Sequence, residues 1–257
     1  MSVALVTGGA RRLGREMVLA LAGAGHDVAI HYNGSDAAAR ETAAAARQLG
    51  VEAEIFAADL LDLDAVEALI PHVAARMGRL GVLVNNASIF EHDTLATATR
   101  ESWDRHIGSN LRAPFMLAQS FAAQAPEADR NGAEPLASGL IVNMVDQRVR
   151  KPTPEFITYA LAKAGLWDLT VMLAQALAPA IRVNAIGPGP TLQAAQQSSE
   201  SFAAERAATV LERGAEPSDI SDALLYFLRA RAVTGQLICV DGGQHLVWRT
   251  ADVAGPE

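Results

Sequence analysis

The sequence predicts an α/β protein: a single doubly wound domain over residues 1–257, with helices flanking a parallel sheet of about seven strands. Three observations carry this. Short apolar runs alternate along the chain with amphipathic, Ala-rich stretches, and there is no other internal repeat. The first run feeds a glycine-rich turn that opens into a helix. Half of the 257 residues are hydrophobic and 19% are charged, which suits one well-buried core and argues against disorder.

Composition also bounds function. A formal charge of −8 leaves no basic footprint, so nucleic acid is not an expected partner. A single cysteine, Cys239, excludes an intrachain disulfide and suits a reducing, cytoplasmic setting. The N-terminus runs into a strand without a basic leader. No apolar segment is expected to reach the roughly eighteen residues of a membrane span. The histidines show no metal-ligand spacing, so no metal is expected.

Val3–Thr7 reads as the first strand. The turn from Gly8 through Arg11, Arg12 and Leu13 to Gly14 follows, then a helix to about Ala24, closed by Gly25. Backbone N–H groups at such a helix N-terminus hold a pyrophosphate, so a nucleotide is expected here. Asp27–Tyr32 is the second strand, and its end offers His31, Tyr32, Asn33 and Ser35. A dinucleotide site meets the adenosine ribose at this point, where an acidic residue would accept from the 2′-OH and repel a 2′-phosphate. This chain has no such residue and has Arg11 available, which favours NADPH; the alternative is a polar loop with no bearing on the cofactor.

Asp36–Leu49 reads as a helix ended by Gly50, and Val51–Ala57 as the third strand. Beyond it Asp59, beside Leu60, is either an acceptor for an adenine amino group or an ordinary capping carboxylate. Ala65–Met77 is helical. Leu80–Val84 is the fourth strand, followed by Asn85, Asn86, Ala87, Ser88, Ile89 and Phe90. The small residues there allow close approach of a cofactor, and Phe90 is an aromatic platform or a core residue. Thr99–Gln124 is a long helix interrupted over Gly108–Pro114, where Asn110 holds a water or bends the helix. Residues 126–138 read as a surface loop.

Leu140–Val145 is the buried fifth strand, with Asp146 at its C-terminal end. Tyr159 and Lys163, four apart, share one face of a helix that runs to about Leu177. Ligands sit at the C-terminal strand ends of open parallel sheets, so this carboxyl, phenol and ammonium are expected to meet nucleotide and substrate. Ile181–Ala185 is the sixth strand, followed by Gly187-Pro188-Gly189-Pro190-Thr191. The polar segment 190–213 is a candidate substrate lid. Ser218–Leu228 is a helix introduced by Pro217 with Ser218 as N-cap, and Gln236–Val240 is the last strand, ending in Asp241-Gly242-Gly243. The tail to Glu257 is weakly patterned.

Together these pieces resemble the short-chain dehydrogenase/reductases over nearly the whole chain. The resemblance rests on TGGARRLG at 7–14, Asp59-Leu60, NNA at 85–87, Asn110, Tyr159 with Lys163, Pro188-Gly189 and DGG at 241–243. Two positions depart from most of that family: Arg12 replaces the middle glycine of the first turn, and Asp146 replaces a serine. Both departures occur together in the pteridine reductases and the related dihydromonapterin reductases. The chain also resembles that branch at IHYNGS (30–35), NNASIF (85–90) and GSNLRAP (108–114).

The resemblance implies a Rossmann-type fold and an NADPH-dependent reductase acting on a dihydropterin or dihydrofolate-like substrate. The alternative is a short-chain carbonyl reductase or alcohol dehydrogenase acting on a non-pterin compound; a nucleotide-binding protein without turnover is a third reading, against which the intact Tyr159/Lys163 pair stands. Tyr159 would be the general acid. Lys163 would bind the nicotinamide ribose and lower the phenol's pKa. Asn110 would hold a relay water, Asp146 would act with Tyr159 on the pterin nitrogens, Phe90 would stack on the ring with Ser88 beside it, and Arg12 would reach both pyrophosphate and substrate. The expected cofactor site comprises Gly8, Arg11, Arg12, Leu13 and Gly14 with His31, Tyr32, Asn33 and Ser35. To these it adds Asp59, Leu60, Asn86, Ala87, Ser88, Tyr159, Lys163, Pro188, Gly189 and Thr191. A carboxylate beside a phenol also raises the phenol's pKa, so Asp146 and Tyr159 are expected to titrate as a unit. A homotetramer is the implied assembly, with apolar positions along Thr158–Leu177 and near the C-terminus as interfaces.

Overall fold

Successive residues of the first strand, β1 (Val3–Val6), face opposite ways, and both faces are apolar. Val3 and Leu5 join one buried cluster, Ala4 and Val6 another. A strand of this kind needs helices on both sides of its sheet. The computed structural model, which describes residues 2–194 and 197–248, supplies them. In chain order the remaining strands are β2 (Asp27–Tyr32), β3 (Ala53–Ala57), β4 (Leu80–Asn85), β5 (Gly139–Met144), β6 (Ile181–Pro188) and β7 (Leu237–Val240). The helices are α1 (Arg12–Gly23), α2 (Asp36–Arg47), α3 (Leu63–Met77), α4 (Arg100–Ile107), α5 (Ala113–Gln124), α6 (Ile157–Ala176), α7 (Ser199–Ala207) and α8 (Pro217–Arg229). Helices α1, α2 and α8 bury Met17, Leu21, Ala43 and Phe227 on one face of the sheet. Helices α3, α5 and α6 bury Ile70, Leu117, Phe121 and Ala174 on the other.

All strands pair in parallel, in the order β3-β2-β1-β4-β5-β6-β7. The winding reverses between β1 and β4, and the reversal opens a crevice at the C-terminal strand ends. This is the doubly wound, Rossmann-type α/β fold that the sequence predicts.

Several element ends differ from expectation for local reasons. Helix α3 starts at Leu63 because the Asp62 carboxylate accepts from the Asp64 N–H at 3.0 Å. Strand β6 runs on to Pro188 because β7, distant in sequence, pairs with it as far as Val240. The N-cap of α8 is Glu216 and not Ser218: Pro217 occupies the first helical position, and Asp219 accepts from the Glu216 N–H at 2.8 Å. The interruption between α4 and α5 is a π-helical turn over Gly108–Arg112.

Helix α6 is long and apolar enough to cross a membrane, contrary to the sequence expectation. It lies against β5 and β6 and buries Tyr159, Lys163, Leu166 and Thr170, as a core helix does. The lid segment contains α7, which buries none of its residues. Ala195 and Gln196 of that segment, and the tail from 249 onward, lie outside the described residues.

Candidate active site

The β1–α1 turn needs glycine twice. Gly8 has φ +62°, and a Cβ at Gly14 would fall 2.1 Å from the Gly8 carbonyl oxygen. Asn86 braces the turn by donating from Nδ2 to the Thr7 carbonyl at 2.9 Å, while its own N–H donates to Thr7 Oγ1 at 2.9 Å. His31 braces the opposite side. The Gly8 N–H donates to Nδ1 at 3.0 Å, which leaves Nε2–H to donate to the Ala58 carbonyl at 3.1 Å. The ring is therefore neutral, and burial holds its pKa down at about 4.

Above the turn lies a crevice of about 610 Å³. Its floor is Gly8, Arg11, Arg12, Leu13 and Gly14. His31 and Asn33 reach it from β2, Asp59 and Leu60 from β3, and Asn86, Ala87 and Ser88 from β4. Gly189 and Thr191 close it beyond β6. Five expected cofactor residues lie off its wall: Tyr159 and Lys163, which stand beyond it, and Tyr32, Pro188 and Ser35. Tyr32 follows His31 in an extended strand, so it points the other way, and its hydroxyl donates to Asp36 at 2.7 Å. Pro188 is taken up in the pairing of β6 with β7, and Ser35 precedes α2 beyond the rim. Asp59 accepts from the Leu61 N–H at 3.0 Å, so it both lines the crevice and closes its own turn.

The crevice also takes Leu61 and Arg105, which the sequence did not point to, and Ile89, Ser109 and Leu192, which lie in segments it did point to without being expected as site residues. Arg105 sits on α4 among other charged residues with no motif around it; the Glu91 carboxylate, 2.7 Å away, holds it in place.

Arg12 explains its own departure from the family pattern. Its φ is +53°, the left-handed region where the family keeps glycine, and holding a larger residue there costs about 1 kcal/mol or more. Its guanidinium spans to the lid segment and donates to the carbonyls of Leu192 and Gln193, each at 3.1 Å. The side chain thus ties the glycine-rich turn to the far wall of the crevice.

Beyond this crevice, at the ends of β5 and α6, the three expected catalytic groups meet. Tyr159 Oη donates to Asp146 Oδ2 at 2.9 Å, and Asp146 Oδ1 accepts from the Arg148 N–H at 2.8 Å. Lys163 Nζ donates to the Met144 carbonyl at 2.6 Å and lies 5.7 Å from the centre of the Tyr159 ring. Burial raises the Asp146 pKa, against the opposing pull of Arg148, Tyr159 and Lys163. Burial, then the Asp146 charge, raises the Tyr159 pKa well above that of an ordinary phenol. Burial lowers Lys163 to about 8. The expected lowering of the phenol by Lys163 is therefore reversed: the adjacent carboxyl and the dry surroundings dominate, and Arg148 supplies the opposing charge. At neutral pH the phenol holds its proton and points it at a carboxyl.

An aromatic wall stands over this pair. Phe90 stacks on Phe156 with centroids 4.4 Å apart and planes 7° off parallel, and it meets Tyr159 edge-on at 4.7 Å. The Arg148 guanidinium carbon lies 4.8 Å from the Phe156 ring and 5.8 Å from Phe90. Phe90 remains 44% exposed, so it is a surface of the site and not core.

Asn110 sits in the π-helical turn and braces the strand-tip backbone: Oδ1 accepts from the Ile89 N–H at 2.9 Å and Nδ2 donates to the Ile89 carbonyl at 2.8 Å. Pro114, four residues on, has no N–H to offer the Asn110 carbonyl.

A protein-family profile described as Enoyl-(Acyl carrier protein) reductase matches residues 8–245, and the chain belongs to the short-chain dehydrogenase/reductase family. Among solved structures it is similar to FolM alternative dihydrofolate reductase 1 from Brucella canis, complexed with NADP. The two share 42% identity and a TM-score of 0.91, over 98% of this chain and 97% of that one. Among curated proteins it is 34% identical to a granaticin polyketide synthase putative ketoacyl reductase 2 of Streptomyces violaceoruber, over 95% of this chain and 96% of that protein. It is 32% identical to the 3-oxoacyl-[acyl-carrier-protein] reductase FabG of Staphylococcus aureus, over 95% and 98%.

Proposed function

We propose that this protein is a single-domain, NADPH-dependent pteridine reductase that takes a dihydropterin or dihydrofolate-like substrate to its tetrahydro form. The observation that carries the substrate class is the bond from Tyr159 to Asp146 beneath Phe90, in a family whose members mostly hold a serine at position 146. The 42% identity to a dihydrofolate reductase with NADP bound supports both cofactor and substrate.

The crevice fits the cofactor. It is lined by Arg11, Arg12 and Arg105, its β2 edge offers His31 and Asn33 without a carboxylate, and its glycine turn leaves no room for a side chain at Gly14. Backbone N–H groups of the turn would hold the pyrophosphate and Arg11 the 2′-phosphate. Bound NADPH supplies the hydride. Lys163, charged below about pH 8, would engage the nicotinamide ribose.

Tyr159 delivers a proton to the substrate as general acid, and Asp146 accepts from or donates to a ring or exocyclic nitrogen. A flat heteroaromatic ring with several nitrogen groups uses both partners, whereas a ketone oxygen needs only a donor. Phe90 offers the ring a face, Ser88 lines the adjoining crevice, and Arg12 ties the lid segment to the glycine-rich turn. The enzyme acts in the cytoplasm as a homotetramer, with the exposed Leu161 and Met172 of α6 and Phe115 of α5 as interface candidates. Light scattering tests the assembly.

The test of function is oxidation of NADPH by purified protein with dihydrobiopterin, dihydromonapterin or dihydrofolate, run beside a panel of ketones and β-ketoacyl thioesters. Turnover confined to the ketones would favour the ketoreductase reading that the granaticin and FabG relatives suggest.

A further inference from the structure

A buried hydrogen-bond chain runs beside the site without taking part in the chemistry described above. The Glu91 N–H donates to His106 Nε2 at 3.2 Å. A backbone N–H only donates, so Nε2 is the acceptor and the proton of the neutral ring sits on Nδ1. Nδ1–H then donates to Thr158 Oγ1 at 2.7 Å, and the Thr158 hydroxyl donates onward to Asp93 Oδ2 at 2.5 Å. Asp93 Oδ1 accepts from the Thr158 N–H at 3.2 Å, and the Ser102 hydroxyl donates to Oδ2 at 3.1 Å. The Asp93 carbonyl accepts from the Phe156 N–H at 2.7 Å. His106, Asp93 and Thr158 are 0%, 2% and 2% exposed, so water does not compete for these bonds.

The ends of the chain give it meaning. Glu91 follows Phe90, the wall of the site, and Thr158 precedes Tyr159, the acid. The chain therefore spans the gap across which Phe90 and Tyr159 meet at 4.7 Å. Residues 89–93 belong to no helix or strand, so side-chain bonds fix where Phe90 stands. At the other end Phe156 has φ +56°, a conformation uncommon for a large side chain, and it is held there by the Asp93 carbonyl at the start of α6. Every link has one direction, from Glu91 to Asp93, and inverting any one of them leaves a buried donor or acceptor without a partner.

We infer that His106, Thr158 and Asp93 are positioning residues that set the separation of the Phe90 wall from the Tyr159 hydroxyl and so govern proton delivery to the substrate. This rests on Tyr159 as the acid and Phe90 as the wall, and holds for a pterin or a ketone alike.

Thr158→Val deletes the central hydroxyl and keeps the shape. On the full chain, with whichever substrate the wild type reduces, kcat is expected to fall about 10- to 100-fold, as small misplacements of reacting groups do, while the NADPH Kd from fluorescence titration stays unchanged. Thr158→Ser should restore most of the rate, and Asp93→Asn combined with Thr158→Val should lose little more than either alone. Unchanged kcat in Thr158→Val, or a loss shared equally by cofactor affinity and thermal stability, overturns the inference. ¹⁵N NMR of the imidazoles gives an answer independent of activity: His106 should be the Nδ1–H tautomer at neutral pH, and an Nε2–H tautomer refutes the chain. If the wild type reduces only ketones, the pterin reading fails and the kcat of Thr158→Val still decides the positioning role; if it reduces neither dihydropterins nor ketones, the positioning role falls with the proposed function.

Discussion

The crevice above the glycine-rich turn and the side-chain cluster beyond it, the cofactor and substrate ends of the proposed site, are built by different means. At the cofactor end, the turn from Gly8 to Gly14 presents mostly backbone, and its braces, Thr7, Asn86 and His31, hold that backbone in shape. At the substrate end, Phe90, Asp146, Arg148, Phe156 and Tyr159 present side chains, gathered from a strand-tip loop, a turn after β5 and the first turn of α6. Backbone recognition tolerates many sequences around a few glycines and serves a whole family. Side-chain recognition changes with each residue and can separate one substrate class from another. Under the proposed function, cofactor binding and substrate choice sit on separable, neighbouring sites.

Tyr159→Phe strikes the separation hardest. Removing a general acid should lower kcat by about 10²- to 10⁴-fold. Equilibrium titration with NADPH should give wild-type affinity, because the glycine turn is untouched; a parallel loss of binding would mean the two ends are not separable. Asp146→Ser sets the family's usual residue in place and comes next in size. Pterin turnover should fall about 10- to 100-fold, the worth of a lost charge-assisted hydrogen bond, while ketone reduction is retained or improved. Equal losses on both substrates would remove Asp146 from substrate choice.

Arg148→Met gives the smallest and most specific effect. The guanidinium lowers the pKa of both Asp146 and Tyr159, so its loss should raise both. The alkaline limb of the kcat profile, where the phenol ionises, moves to higher pH. The acid limb, where the carboxylate protonates, moves the same way. A pH–rate profile superimposable on the wild type would show that the cation over Phe156 only packs.

How much of this was legible follows from the same contrast. Strand β2 lies at Asp27–Tyr32 as read, because its apolar run is bounded by turn residues on both sides. The interruption at Asn110 is where the helix turns π-helical, flagged by Gly108 and Pro114. Asp146, Tyr159 and Lys163 do converge, since a strand end and a helix face bring them to one place. Tyr32, expected at the cofactor, faces away from the crevice because it follows His31 in the strand and neighbouring residues point to opposite faces. Phe156, Arg148, Arg105, Asp93 and His106 carried no signal, because their partners lie across the fold and a residue's type does not announce a long-range contact.

By itself the sequence determined the alternation of strands and helices, the glycine turn and the pairing of Tyr159 with Lys163 on one helix face, because these follow from hydrophobic period and from spacing within single elements. Only the tertiary structure decided that Arg12 reaches the lid segment, that burial, with Asp146 beside it, keeps the Tyr159 phenol protonated, and that a buried chain from Glu91 to Asp93 joins Phe90 to Tyr159. Those outcomes depend on burial and on partners far away in sequence. Burial decides protonation, and neither can be counted along a chain.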